Sequence, residues 1–148
     1  MQNHFYREII NDHNLRPTHK HGLADANLVL RGVNPSCGDD ITLRLRVENG
    51  VIAEGAYSGD GCAISQASAD MMLDLVIGKS EAEAKRLAGM FLRMIKGEAS
   101  LDEKEALEEA GVLADISHMP ARVKCAVLAW RTMETLLDEN EKGDQSDE

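Results

Sequence analysis

The chain has 148 residues, 28% of them charged and only 3% aromatic, and a formal net charge of -10. That length is enough for one domain with its own core, here an aliphatic one, while the acidic balance argues against a phosphate-binding surface and so against nucleic acid as a partner. No apolar run reaches the length of a membrane span, no secretory signal is read, and the three cysteines, an odd number, rule out a complete disulfide framework and fit a reducing cytoplasm.

Residues 4–14 are expected to form a first helix, with Phe5, Ile9 and Ile10 as its apolar positions and Pro17 beyond its end. Residues 18–22, with His19, Lys20 and His21, read as an exposed loop, and 27–31 as a short apolar strand. Ile41, Leu43, Leu45 and Val47 alternate with Thr42, Arg44 and Arg46, the pattern of a half-buried strand. Asn49-Gly50 is a strong hairpin turn signal, and residues 51–58 return as the partner strand. These strands make a small antiparallel meander with one wet face.

Cys62 opens a helix that runs to Ile77 and stops at Gly78, small-sided at first (Ala63, Ser65, Ala67, Ser68) and then apolar (Met71, Met72, Leu75, Val76). Ser80 with Glu83 and Ser100 with Glu103 read as capping boxes for two more helices. The first of these buries Ala84, Leu87, Ala88, Phe91 and Ile95 and ends at Gly97; the second is short, acidic and solvated, and stops at Gly111. Residues 112–119 read as a connector, and Pro120 marks the start of the last helix, whose apolar stripe runs from Cys125 through Ala126, Ala129, Trp130, Met133, Leu136 and Leu137. Residues 138–148 hold six acids and one lysine and are expected to be a disordered tail. The fold class is α+β in a single domain, 1–137.

Cys37 and Cys62 sit in turns marked by Gly38, Gly59 and Gly61; Asp39 follows Cys37 by two residues; Cys125 comes from the last helical pattern. Three thiols and a carboxylate brought together from three places are a metal-ligand set of the kind zinc takes. Ionised around Zn²⁺ they sum to a charge of about −2, which the nearby Arg122 and Lys124 would offset. The alternative is that the cysteines are simply buried, as free cysteines often are. The five histidines are scattered and read as surface or capping groups.

The same stretches carry a family likeness. Tyr6-Arg7 with Asp12-His13 and Pro17, Asn34-Pro35 with Cys37-Gly38-Asp39, the run Gly61-Cys62-Ala63-Ile64-Ser65-Gln66-Ala67-Ser68, and Arg122 with Lys124-Cys125-Ala126 resemble the U-type proteins of iron–sulfur cluster assembly, within them the SufU branch. In the scaffold branch, similar to IscU, a histidine precedes the third cysteine and a Leu-Pro-Pro-Val-Lys motif is read by a chaperone. Here Lys124 precedes Cys125, and the chain reads Met119-Pro120-Ala121-Arg122-Val123.

The resemblance implies a three-stranded antiparallel sheet with helices packed around it, an insertion with an extra helix over 98–119, and Cys37, Asp39, Cys62 and Cys125 as metal ligands. It further implies a zinc-dependent sulfurtransferase that takes persulfide sulfur from a pyridoxal-phosphate-dependent cysteine desulfurase and passes it toward downstream iron–sulfur assembly proteins. In that reading Cys37 is the acceptor, as its loop position also argues, and Arg122 acts beside it, where a guanidinium can steer a persulfide anion. The rival expectations are a scaffold carrying iron or a [2Fe–2S] cluster on the same ligands, and a purely structural zinc module.

Overall fold

The computed structural model describes residues 2–146, and the side chains of residues 7–142. The side chains of His4, Phe5 and Tyr6 lie outside the described residues. The elements in chain order are α1 (Gln2–Leu15), β1 (Leu28–Asn34), β2 (Asp39–Glu48), β3 (Val51–Asp60), α2 (Ala63–Val76), α3 (Glu81–Ile95), α4 (Leu101–Ala106), a 3₁₀ segment (Glu108–Ile116) and α5 (Pro120–Ser146). The three strands form one antiparallel sheet in the order β1-β2-β3, and the helices pack around it.

The alternation along β2 does what its sequence requires. Ile41, Leu43 and Leu45 are buried while Thr42, Arg44 and Arg46 are only half-buried. The same period of two puts Asp39, the first residue of β2, on the buried face with them, fully enclosed. Asp39, two residues beyond Cys37, is thus a strand residue. The β2–β3 turn has Asn49 at φ 53° and Gly50 at φ 77°, the left-handed pair a two-residue hairpin needs.

α2 and α5 cross at the centre of the molecule. Trp130, fully buried, donates from Nε1 to Ser68 Oγ at 2.9 Å, and that hydroxyl donates to Ala126 O at 2.7 Å. Phe91 of α3 stacks on the Trp130 ring at 4.1 Å between centroids. The apolar positions expected on α2, α3 and α5 are buried. On α1, Ile10 is buried and Ile9 half-buried.

α5 begins at Pro120 as expected, with Cys125 buried in its second turn. Several local expectations need correction. Gly111 does not end α4, which stops at Ala106; residues 108–116 wind on as a 3₁₀ helix with Ala110, Leu113 and Ile116 buried, so the expected connector supplies core. The Ser100–Glu103 capping box is complete. At Ser80 only half forms: Ser80 Oγ accepts from Glu83 N at 3.0 Å, while the Glu83 carboxylate turns to Arg86. Helix α5 continues through the acidic stretch to Ser146, because Lys85 pairs with both Asp138 and Glu141 and Asn140 donates to Glu81 Oε1 at 2.7 Å. No helix among the described residues is long and apolar enough to cross a membrane.

Candidate metal centre

The β1–β2 turn, the N-terminus of α2 and the second turn of α5 meet at one point. Each element brings one cysteine there, and β2 adds Asp39. Cys37, Asp39 and Cys125 each offer a ligand atom within 4.8 Å of the others. Cys37 Sγ and Cys125 Sγ are 3.2 Å apart, and all three cysteines are free thiols. Cys62 stands beside this group without joining it: as N-cap of α2, its sulfur accepts from Ser65 N at 3.3 Å.

The carboxylate is prepared on one side and left open on the other. Asp39 Oδ1 accepts from Cys62 N at 2.9 Å and from Ser65 Oγ at 3.2 Å. Asp39 Oδ2 is equally buried and has no hydrogen-bond partner among the described residues. Burying a carboxylate oxygen unpartnered is costly, and a cation bound there would remove the cost. The residues therefore fit a metal with sulfur and oxygen ligands. Gly61 permits the arrangement: a Cβ there would lie 2.4 Å from Ser65 Oγ and 3.1 Å from Asp39 Oδ1, displacing both.

The three thiols differ in exposure. Cys37 is exposed, Cys62 half-buried and Cys125 buried. Burial raises the Cys125 thiol pKa far above its ordinary value, and the neighbouring Cys37, Cys62 and Asp39 side chains raise it further, so without a metal Cys125 keeps its proton. Cys37 Sγ accepts from Asn34 Nδ2 at 2.8 Å and lies 3.2 Å from Cys125 Sγ, a pair in which either thiol can donate. The cysteines open onto a cleft of about 530 Å³ whose walls include Arg7, Arg122 and Lys124, cations at the mouth of a thiol site. The structure thus brings Arg122 to the same cleft as the cysteines.

Two contributors, Asn34 and Ser65, were not singled out from the sequence as functional. Both lie three residues from a cysteine, Asn34 before Cys37 and Ser65 after Cys62. That spacing in a turn and at a helix N-terminus is the signal that would have found them.

Two histidines depart from expectation, while His21 and His118 are exposed as expected. His13 is 6% exposed and holds Asp70 Oδ2 through Nδ1 at 2.7 Å. Burial opposes its protonation, but the hydrogen bond and charge of Asp70, then Glu109, outweigh this and raise its pKa above the ordinary value. His19 is half-buried and reaches Asp74 Oδ1 through Nε2 at 2.7 Å. The 18–22 loop is thus tied down, not free.

Residues 5–91 match the model of the NifU-like N terminal domain. The chain is 43% identical over 131 residues to the iron–sulfur cluster assembly scaffold protein IscU of Streptococcus pyogenes serotype M1, covering 88% of this chain and 81% of that protein. It is 34% identical over 138 residues to the zinc-dependent sulfurtransferase SufU of Bacillus subtilis, covering 93% and 92%. A crystal structure from Fervidobacterium islandicum AW-1, assigned as an iron–sulfur cluster assembly scaffold protein for the SUF system, superposes with a TM-score of 0.83 at 34% identity, covering 91% of this chain and 98% of that one.

Proposed function

The chain belongs to the family of NifU-like N-terminal domains, IscU and SufU among them, and from that premise we propose that it serves iron–sulfur cluster assembly as a zinc-dependent acceptor of persulfide sulfur. The observation that carries the reading is the unequal exposure of the thiols, with Cys37 open to the cleft and Cys125 enclosed. Residues 1–137 are the working unit. The segment 98–119 is its insertion, and its packing through Leu107, Ala110, Leu113 and Ile116 into the common core supports that division.

Zinc would be held by Cys37, Asp39, Cys62 and Cys125, and when bound it keeps the thiols deprotonated at neutral pH. Cys62 reaches that set by turning its side chain away from Ser65 N. Cys37 is the nucleophile. Its sulfur attacks the terminal sulfur of a persulfide presented by a cysteine desulfurase that uses pyridoxal phosphate; the new S–S bond forms on Cys37 as the partner's S–S bond breaks, and the partner cysteine leaves as a thiolate. Asn34 orients Cys37 through its amide hydrogen bond. Arg122, with Arg7 and Lys124, draws the incoming anion into the cleft.

The second reading is a scaffold, favoured by the name of the Streptococcus relative. The same donors in an open cleft suit an iron–sulfur cluster as cargo. Lys124, where the scaffold branch has histidine, supports the sulfurtransferase. Metal analysis of protein purified without added metal, followed by incubation with a desulfurase and cysteine, tests the choice. About one zinc per chain and added sulfur on Cys37 are expected. Iron and sulfide in stoichiometric amount, or sulfur found only on Cys62 or Cys125, would reject it.

A further inference from the structure

A second convergence of ligand groups lies on the far part of α2. His13 of α1, Asp74 of α2 and Glu109 of the 3₁₀ segment each offer one ligand atom, all within 4.8 Å of one another. His19 joins them through Asp74, with Nε2 2.7 Å from Oδ1. None of the four lines the thiol cleft. Asp74 follows Cys62 by twelve positions, about 18 Å along the helix, so the two centres share no ligand.

The imidazole of His13 is set as a metal ligand is set. Nδ1 is engaged by Asp70 Oδ2 at 2.7 Å, and Asp70, fully buried, is itself fixed by His19 N at 2.8 Å on Oδ1. This leaves Nε2 to face Glu109, at 3.3 Å from Oε1. A buried carboxylate on one ring nitrogen orients the ring and strengthens the other nitrogen as a donor. Asp74 and Glu109 also border a recess of about 30 Å³, whose other walls are Met71, Leu75, Leu107 and Glu108.

We propose that His13, Asp74 and Glu109, with His19 beside them, bind a divalent first-row transition metal through nitrogen and oxygen. Imidazole and carboxylate together suit iron(II), cobalt(II) or zinc and need no thiolate. The site explains how the 98–119 segment is anchored. Glu108, at the junction of α4 and the 3₁₀ helix, has φ 55°, a reversal that turns Glu109 back toward α1. Occupancy ties this segment to α1 and α2 at one point.

Cobalt(II) alone tests the site, because thiolate ligation gives intense sulfur-to-metal charge transfer and nitrogen–oxygen ligation does not. In a titration of the full chain, one equivalent is expected to bind with weak ligand-field bands only and to shift the ring resonances of His13 and His19. Asp74→Asn and Glu109→Gln should each weaken that equivalent at least about tenfold. Both carboxylates are well exposed, 42% and 57%, so the variants retain the fold. Cobalt bound solely with sulfur charge transfer, or a nitrogen–oxygen equivalent unaffected by both substitutions, would overturn the proposal and leave the group as ion pairs only.

Discussion

Helix α2 carries a polar cluster at each end, and the two are built on opposite terms. At its N-terminus Cys37 is exposed, Cys62 is turned aside, and Asp39 Oδ2 is buried without a partner among the described residues. Further along, both oxygens of Asp70 are engaged, by His13 and Thr18 on one side and His19 on the other. The first cluster leaves donors unsatisfied, so that something else can complete it. The second satisfies its buried groups and keeps only the rim, Asp74 and Glu109, in contact with water. Incomplete pairing is the mark of a reactive centre, complete pairing that of a tether.

The largest effect expected at the thiol end is chemical. Cys37→Ser should lower sulfur loading by a desulfurase at least about a hundredfold, read by mass spectrometry, while changing stability by less than about 0.5 kcal/mol, as for other exposed substitutions. Loading that persisted on another cysteine would erase the distinction between the three thiols. At the other end the largest effect is on folding. Asp70→Asn removes a buried charge facing His13 and should cost about 2–4 kcal/mol in urea denaturation, with metal content at the cysteines unchanged. Loss of that metal too would make the two clusters one unit.

Ser65→Ala takes a hydrogen bond from Asp39 Oδ1 and should weaken metal retention at the cysteines about tenfold, measured by competition with a chelator. Cys125→Ser should melt a few degrees below Cys37→Ser, since a buried hydroxyl replaces the enclosed thiol at a cost of about 1 kcal/mol. If Cys37→Ser were the less stable, the contrast between an exposed acceptor and an enclosed anchor would fail. The smallest effect belongs to Asp74→Asn without metal. It loosens an ion pair at the surface and should cost under about 0.5 kcal/mol in the melting curve.

What the sequence determined is the frame, and it singled out the three cysteines as candidate ligands. Strict alternation along Ile41–Val47, an Asn-Gly turn and three apolar helical stripes specify a small antiparallel sheet under helices, because burial of one face is a local property of spacing. The cysteines are rare, and two of them, Cys37 and Cys62, stand in glycine turns, so residue type and setting mark them. Only the tertiary structure decided the rest. Asp39 is enclosed because it starts the buried face of β2, and Cys125 is brought within 3.2 Å of Cys37, 88 positions away in sequence. The 3₁₀ segment earned no periodicity signal, yet it buries Leu113 and Ile116. Likewise the acidic end of α5 is held by Lys85, which lies far away in sequence. His13, Asp70 and Glu109 are common residue types separated by 57 and 39 positions. No local pattern relates them, and their meeting depends on how α1, α2 and the 3₁₀ segment pack together.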